Sequence, residues 1–377
     1  MGPAKRIEFI DLKTQQQKIL PILMERIQEV LAHGQYIMGP EVRELEDRLA
    51  VYVGVKHAIT CSSGTDALLM ALMAYGVGPG AAIFTPPFTF IATAEVIQLL
   101  GATPVFVDIE ARTFNLDPAA LAQTIRDLGR NPRTGHLKPR GIIPVDLFGQ
   151  PADYDRINAI AREHGLFVLE DAAQSFGATY KGKRAGALAE VAATSFFPAK
   201  PLGGYGDGGA IFTDQDGLAE TLRSLRVHGQ GKHKYDNVRV GINGRLDTLQ
   251  AAIILAKMAI FDAELSARQE AAQRYSEALA GMVEVPYVAP GCTSVWAQYS
   301  VLSDAKPALL QKLQEAKIPA AVYYSLPLHL QEAFAHLSYQ KGDFPVSEQV
   351  AQRIFSLPMH PYLNPADQER ICAVLRG

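Results

Sequence analysis

Two polar residues at the end of an apolar run have the spacing of groups that could bind a nitrogen heterocycle. Asp171 follows the run LFVLE, and Gln174 comes three residues later. An acid at the carboxyl end of a strand can bond a protonated pyridine nitrogen and keep the ring an electron sink, while the amide reaches the ring hydroxyl. The alternative for Asp171 is a helix N-cap. A metal-binding pair of Glu170 and Asp171 is disfavoured, because no histidine partner lies nearby.

A pyridine cofactor that does amine chemistry needs a lysine, and Lys200 has the right surroundings. It follows the apolar run VAATSFFPA and precedes five glycines in the stretch PLGGYGDGG. Glycines there let the backbone pass close to a ligand, and a lysine so placed can form a Schiff base. A lysine chosen at random would instead be a surface residue. The flanking apolar and glycine residues favour the chemical role.

A possible phosphate site lies in the run TCSSGTDALL, where Gly64 and Thr65 stand between a strand and an apolar helix. The N-terminus of a helix offers free backbone N–H groups and a favourable dipole to a phosphate. The alternative is a glycine turn followed by a threonine cap. This motif proves little unless other cofactor residues accompany it.

The elements that position these residues are predicted from hydrophobic periodicity. Short apolar runs alternate with amphipathic stretches from about residue 56 onward, and we predict that each run is a buried strand. The runs are HAIT, AAIFT, TPVFVDI, GIIPV, LFVLE and VAATSFF. Such alternation predicts an α/β fold with a mostly parallel sheet flanked by helices, whose ligands gather at the carboxyl ends of the strands.

Helices before and after these runs complete the predicted architecture. Pro40 opens a helix that buries Val42, Leu45 and Leu49, and Gly54 closes it. The stretch from about residue 245 to 281 lacks proline and has helical periodicity, so we predict one long helix that joins two domains. We assign residues 1–260 to a large cofactor-binding domain and residues 261–377 to a small α+β domain. The polar, basic loop 129–139 has no assigned role.

Composition limits the class of protein. The chain has 377 residues, 48% of them hydrophobic, and a formal net charge of −3, which suits a globular protein of two domains. No dense basic cluster stands out, so nucleic acid is not an expected partner. The three widely spaced cysteines predict neither disulfides nor a zinc site, and a cytoplasmic location is expected. No signal peptide or membrane span is predicted.

The runs described above, in their order, resemble the DegT/DnrJ/EryC1/StrS family of sugar aminotransferases, and the similarity covers nearly the whole chain. The segments that carry the resemblance are FIDLKTQQ, GQYIMGPEVRELE, SSGTDAL, TPPFTFIATAE, LEDAAQSFGA, SFFPAKPLGGYGDGGAIFT, VGINGRLDTLQAA and LPLHLQEAF. The resemblance implies the aspartate aminotransferase fold (PLP fold type I), with a seven-stranded sheet. It also implies pyridoxal 5′-phosphate (PLP) as cofactor.

Carried over residue by residue, the resemblance implies a role for each matching position. Lys200 would be the Schiff-base lysine and proton shuttle, Asp171 the partner of the pyridine nitrogen, and Gln174 the partner of the ring hydroxyl. The phosphate would be held by Gly64, Thr65 and Ser195, and by Asn243 of the neighbouring subunit of a homodimer. Phe88 would stack on the cofactor ring; its alternative is a core phenylalanine beside Phe90.

The same resemblance implies that an amino group passes from a donor, expected to be L-glutamate, to a nucleotide-linked keto-sugar. The chain is especially similar to the branch that aminates C3 of UDP-2-acetamido-2-deoxy-3-oxo-glucuronate for bacterial surface polysaccharides such as O-antigen. In that branch we expect the run AVHYP, whereas this chain has Tyr323, Tyr324 and Ser325 after Val322. A neutral 3-keto or 4-keto hexose nucleotide is therefore the alternative acceptor.

Four residues are candidates for substrate binding. Arg245, two residues after Asn243, could bind the carboxylate of the sugar or of the donor; its alternative is an ion pair with Asp247 or another acid. Tyr323, Tyr324 and His329 lie in the stretch that approaches the sugar in this family, and their alternative is packing in the small domain.

Two rival functions are less favoured. A PLP-dependent sugar dehydratase would be expected to carry histidine in place of Lys200. A cofactor-bound regulator without turnover would not need lysine, aspartate and glutamine together.

Overall fold

The computed structural model describes residues 6–233 and 235–376, and their strands form one large sheet and two small ones. In chain order the strands are β1 (His57–Cys61), β2 (Ala81–Thr85), β3 (Thr103–Phe106), β4 (Lys138–Ile142), β5 (Phe167–Asp171), β6 (Thr179–Tyr180), β7 (Lys183–Arg184), β8 (Val191–Ser195), β9 (Gly209–Thr213), β10 (Tyr299–Leu302) and β11 (Ile354–Leu357). The seven-stranded sheet has the order β1-β9-β8-β5-β4-β2-β3. Only β9 runs antiparallel to its neighbours. The predicted mostly parallel α/β sheet is confirmed.

Helices cover the large sheet and build most of the C-terminal part. In chain order they are α1 (Leu12–His33), α2 (Pro40–Val53), α3 (Gly64–Ala74), α4 (Ala92–Leu99), α5 (Pro118–Asp127), α6 (Tyr154–His164), α7 (Asp216–Leu225), α8 (Thr248–Met258), α9 (Phe261–Leu279), α10 (Lys306–Glu315), α11 (Pro345–Arg353) and α12 (Pro365–Arg376). None of the helices in the described ranges is long and apolar enough to cross a membrane.

Both faces of the large sheet are buried, as the continuous apolar runs require. Side chains alternate along β5, so that Phe167 and Leu169 join the apolar core on one face while Val168 joins the core on the other. Helices α3, α4 and α7 cover the first face, and α5 and α6 cover the second. The strand ends are therefore the part of the sheet that remains open to a ligand.

Helix α2 shows how local sequence sets the helix ends. Pro40 occupies the first turn, where its missing N–H costs no hydrogen bond, and Gly54 ends the helix in the left-handed conformation. Val42, Leu45 and Leu49 are buried along one face, as their spacing predicts.

Two predicted elements differ from the structure. Strand β4 ends at Ile142, whereas the run GIIPV predicts a strand through Val145. Pro144 has no N–H to donate to a ladder, so the chain leaves the sheet there. The predicted long helix is two helices, because Ile260 leaves helical geometry between α8 and α9. Acidic residues in the first turn of α9 and Lys257 in the last turn of α8 each interact favourably with the helix dipole at that end, which favours two separate helices.

The C-terminal part has its own apolar core. Helices α9, α10 and α12 pack with β10 and β11 around side chains such as Tyr299 and Phe355. Ile7, from the N-terminal end of the described chain, is buried in the same core, and Phe9 O accepts a hydrogen bond from Met359 N at 3.2 Å. The domain boundary at residue 260 stays a prediction, and the segment around Ile7 packs with the residues beyond it.

The packing of β4 against β5 generates a prediction about stability. A Cβ on Gly141 would overlap the Phe167 ring, and this ring stacks on Tyr75 at 4.2 Å between ring centres. Gly141→Ala should therefore lower the free energy of unfolding by about 1–3 kcal/mol through overpacking, measured by urea denaturation. Gly129→Ala is the matched control, because a Cβ there meets no atom within 4 Å. Equal effects of the two substitutions would contradict the prediction.

Candidate active site

The residues predicted to do chemistry follow strands whose carboxyl ends lie at one edge of the sheet. Strand β5 ends at Asp171 and the neighbouring strand β8 ends at Ser195, and their parallel pairing aligns Asp171 with Ala193. Strand β1 ends at Cys61, just before Gly64. Sequence positions more than a hundred residues apart are thereby brought to one edge.

The first turn of α3 fits an anion. Ser63, rather than Thr65, is the N-cap, and its side chain accepts a hydrogen bond from Asp66 N at 3.0 Å. The N–H groups of Gly64 and Thr65 then have no acceptor within the helix and can bind a phosphate. Glycine is required at 64, because a Cβ there would lie 2.7 Å from the Ser195 Cβ. This close approach places the helix N-terminus beside the Ser195 hydroxyl.

Asp171 is a buried carboxylate at the end of β5, with 4% of its surface exposed. No helix begins in the turn that follows it, so the helix-cap alternative does not apply. Its Oδ2 accepts a hydrogen bond from the Thr93 hydroxyl at 2.8 Å, and its Oδ1 accepts one from Ala173 N at 3.2 Å. Burial raises the pKa of Asp171, while these hydrogen bonds and the Lys200 charge oppose the rise. Thr93 was missed by the sequence reasoning, since nothing in the run IATAE marks it.

Lys200 lies in the turn after β8 and is half-buried. Burial lowers the pKa of its amine, and the charge of the Asp171 carboxylate opposes this decrease. Among the described residues none forms a hydrogen bond or ion pair with Lys200 Nζ. An amine with a lowered pKa and no protein partner is suited to bind a carbonyl carbon and to move protons.

Gln174 joins the strand ends to the C-terminal part of the chain. Its Oε1 accepts a hydrogen bond from Phe148 N at 2.7 Å, and its Nε2 donates one to the Tyr324 hydroxyl at 3.3 Å. Tyr324 also packs edge-on against Phe88, with ring centres 6.0 Å apart. The structure therefore brings Tyr324 to the candidate site.

The two phenylalanines of the run PPFTF have opposite environments. Phe88 is 0% exposed and packs in an apolar cluster with Ile109 and Phe148. Its ring has no free face for a cofactor, which corresponds to the core alternative. Phe90 is 55% exposed and lies 6.5 Å from the Tyr324 ring. Phe90, not Phe88, therefore offers the open aromatic face.

Asn243 and Arg245 lie at the base of a long hairpin that is described for residues 226–233 and 235–244. The side chain of Asn243 is exposed, and Gly244 O accepts a hydrogen bond from Ser62 N at 3.1 Å, so the base adjoins the turn before α3. Arg245 is half-buried, and its Nε is buried without a hydrogen-bond partner. Within the described ranges Arg245 pairs with no acid, so the ion pair with Asp247 is not formed.

Two other candidates have different surroundings. Tyr323 is half-buried, and its ring lies 6.5 Å from Phe9. His329 is 2% exposed, and its Nε2 lies 3.0 Å from Glu348 Oε1. The His329 ring also packs against Phe344, with ring centres 4.7 Å apart. In this structure His329 is therefore packed inside the protein, as the small-domain packing alternative describes.

These groups fit a phosphorylated pyridine. The free N–H groups at Gly64 and Thr65 suit the phosphate, Asp171 suits a protonated ring nitrogen, and the unpaired Lys200 amine suits an aldehyde. The cradle between Gly64 and Ser195, which a single Cβ would fill, gives this fit a geometric basis.

Comparisons with known proteins agree with this chemistry. The family model described as DegT/DnrJ/EryC1/StrS aminotransferase matches residues 19–376. The UDP-2-acetamido-2-deoxy-3-oxo-D-glucuronate aminotransferase of Pseudomonas aeruginosa is 52% identical over 98% of this chain and 99% of its own length. A DegT DnrJ EryC1 StrS aminotransferase from Brucella abortus has a crystal structure with a TM-score of 0.94 and 52% identity, covering 98% of this chain and 99% of its own. NtdA from Bacillus subtilis, solved with bound cofactor PMP, has a TM-score of 0.87 and 29% identity, covering 95% of this chain and 81% of its own.

The fold and the site define an aminotransferase of PLP fold type I whose cofactor is PLP. Within that class, the chain belongs to the DegT/DnrJ/EryC1/StrS aminotransferase family.

The contact between α3 and β8 generates a prediction about cofactor binding. Gly64→Ala should push the helix N-terminus away from Ser195 and weaken PLP binding at least about tenfold, which corresponds to about 1.4 kcal/mol. The dissociation constant is measured from the absorption of the bound cofactor. Gly217→Ala, in α7 with no atom within 4 Å of its Cβ, is the control. Wild-type affinity of Gly64→Ala for PLP would mean that the N-terminus of α3 does not bind the phosphate.

Proposed function

We propose that the protein transfers an amino group from L-glutamate to C3 of UDP-2-acetamido-2-deoxy-3-oxo-glucuronate. The product would serve bacterial surface polysaccharide synthesis. The similarity to the Pseudomonas enzyme over nearly the whole of both chains supports this substrate. The protein's three cysteines are unpaired, which is compatible with the reducing cytoplasm where nucleotide sugars would be used.

The observation that carries the substrate assignment is the unpaired guanidinium of Arg245. A half-buried arginine normally has an anionic partner, because its desolvated charge is otherwise costly. Arg245 has no such partner in the described chain, and it follows Gly244, whose carbonyl bonds Ser62 next to the proposed phosphate site. A guanidinium binds a carboxylate with two parallel hydrogen bonds. The carboxylate of a uronate, or of the glutamate donor, supplies that partner.

Lys200 would perform the proton transfers of both half-reactions. The bound cofactor supplies an electron sink for the carbon that carries nitrogen. The Lys200 amine, whose pKa is lowered by burial, takes a proton from the donor carbon and returns one at the acceptor carbon. Asp171 would stabilise the positive charge of the ring nitrogen, and the Thr93 hydroxyl, which donates to this carboxylate at 2.8 Å, fixes its orientation. Phe90 would stack on the cofactor ring, and Gln174 and Tyr324 would line the side of the ring hydroxyl.

A homodimer is part of the proposal. The side chain of Asn243 is exposed, and the outer part of its hairpin carries exposed apolar residues, Tyr235, Val238 and Val240. An apolar projection of this kind suits burial against a second copy of the chain. Asn243 would then complete the phosphate site of the partner.

The dimer proposal predicts complementation between two inactive variants. Lys200→Ala removes the reacting amine and Asn243→Ala removes the group supplied to the partner, so each variant alone should have little activity. A hybrid dimer should contain one site with both residues intact, so mixing and subunit exchange should restore about half of the activity per hybrid. Native mass spectrometry would verify hybrid formation. No recovery in proven hybrids would mean that each chain builds its own site.

The alternative acceptor is a neutral 3-keto or 4-keto hexose nucleotide. One observation favours it: Tyr323, which stands where histidine is expected, and its neighbour Tyr324 are uncharged, and burial raises the pKa of both hydroxyls. This stretch therefore offers hydrogen bonds but no cation to a uronate. The uronate proposal depends on Arg245 for that charge.

A comparison of substrates tests the proposed function. Single-turnover consumption of the pyridoxamine form should be faster with UDP-2-acetamido-2-deoxy-3-oxo-glucuronate than with neutral keto-hexose nucleotides. Arg245→Gln should slow the uronate reaction about tenfold to a hundredfold, the size of a lost charge-assisted hydrogen bond, and leave any neutral-hexose reaction nearly unchanged. Faster turnover of a neutral hexose by the wild-type protein would refute the uronate assignment and leave the aminotransferase assignment intact.

A further inference from the structure

A second lysine is buried behind the segment that carries Lys200. Lys257, in the last turn of α8, is 1% exposed and forms no ion pair within 4.0 Å in the described chain. A lysine is almost never fully buried without a partner, because its charge loses hydration. Its position therefore needs a physical explanation that the amino-transfer chemistry does not supply.

Lys257 contacts the turn that follows Lys200, which we call the Lys200 loop (residues 197–208). Its Nζ lies 3.5 Å from Gly204 O and 4.3 Å from the centre of the Tyr205 ring. The first contact is at the long limit of a hydrogen bond, and the second is a cation–π contact. Both contacts are made to consecutive residues of one short loop.

Gln250, two helical turns earlier in α8, contacts the same place. Its Oε1 accepts a hydrogen bond from Tyr205 N at 2.8 Å. Gly204 O and Tyr205 N belong to a single peptide group, so Gln250 and Lys257 hold the two polar ends of that group. A Cβ on Gly204 would lie 2.8 Å from Gln250 Oε1. Glycine at 204 therefore permits the loop to rest against the helix.

The Lys200 loop is also closed on itself. Gly204 N donates to Phe196 O at 2.7 Å, and Phe196 N donates to Gly208 O at 2.7 Å. Lys200 N donates to Phe197 O at 2.9 Å. A displacement of the peptide after Gly204 is thus transmitted through Phe196 to the turn that places Lys200.

The charge of Lys257 is compatible with this contact. Burial lowers its pKa to about 8, and the Glu264 carboxylate opposes the decrease. Glu264 itself accepts hydrogen bonds from Gln15 Nε2 at 2.9 and 3.0 Å and from the Tyr362 hydroxyl. The Glu264 carboxylate thus favours the protonated amine, which can donate to the Gly204 carbonyl and lie over the Tyr205 ring.

We infer that Lys257 and Gln250 are positioning residues that fix the Lys200 loop, and thereby the Lys200 amine, from the side of α8. This inference rests on the proposed role of Lys200. Misplacement of a reacting group by about 1 Å can reduce a rate by about a hundredfold. The contacts join the loop to α8 and involve none of the residues that we assign to the cofactor or the substrate. Their loss should therefore lower kcat and leave KM for both substrates unchanged.

The test measures both half-reactions in Lys257→Met, which replaces the ammonium with an apolar side chain of similar length. We expect single-turnover rates with glutamate and with the keto-sugar to fall about tenfold or more. We also expect the pH midpoint of the lysine-bound cofactor's absorption to move away from its wild-type value, because the Lys200 amine changes position. A merely structural role would not alter that midpoint.

Lys306→Met is the matched control. Lys306 also donates to a backbone carbonyl, Ala351 O at 2.9 Å, and burial also lowers its pKa, but it lies in α10 of the C-terminal part. It should retain wild-type rates and the wild-type midpoint. Tyr205→Leu removes the ring that accepts the cation without changing a buried charge, and it should reproduce the Lys257→Met defect.

The outcomes separate this inference from the proposed function. Wild-type rates and midpoint in folded Lys257→Met and Tyr205→Leu would overturn the positioning role. If Lys257→Met does not fold, the rates and the pH midpoint of Tyr205→Leu alone decide whether the positioning role holds. If the absorption band of the lysine-bound cofactor persists in Lys200→Ala, the role of Lys200 itself is refuted, whatever the Lys257 variants do.

Discussion

Parallel pairing between β5 and β8 is the constraint on which the active site depends. It places the carboxyl ends of two strands side by side, with Asp171 and Ser195 at one edge of the sheet. Strand ends are where main-chain groups are no longer needed by the ladder, so side chains and turns there can bind a ligand. Because helices cover both faces of the sheet, this edge is where polar side chains lie next to the buried core.

Desolvation then gives the strand-end groups their properties. Burial raises the pKa of Asp171 and lowers that of Lys200, while the attraction between the two charges opposes both changes. Hydrogen bonds from Thr93 and Ala173 keep the carboxylate oriented. One environment thus shifts the pKa values of an acid and an amine in opposite directions, as our proposal requires of the partners of a ring nitrogen and a carbonyl, and neither residue type would behave so in water.

Contacts from distant parts of the chain complete the site. Tyr324 binds Gln174 from the C-terminal part, and the base of the 226–244 hairpin binds Ser62 through Gly244. Helix α8 holds the peptide after Gly204 through Gln250 and Lys257. The strand ends carry the proposed reacting groups, and these three contacts support them from other parts of the chain.

The sequence by itself determined the residue types and order of the strand-end motifs, because an acid after an apolar run and a lysine before glycines are local patterns. It therefore predicted Asp171, Lys200 and the Gly64 turn as site residues, and its predictions of the parallel sheet and of the family are confirmed. Only the tertiary structure decided which neighbouring side chains are open at the candidate site and which are buried in the core. In the run PPFTF both phenylalanines are equally apolar, yet packing buries Phe88 and exposes Phe90. His329 has a suitable side chain, but it is buried beside Glu348. Lys257 has the sequence context of an ordinary helical lysine, and only its contact with the Lys200 loop distinguishes it. Whether a side chain is buried or open at the site depends on contacts between residues far apart in the chain, which periodicity and local motifs do not encode.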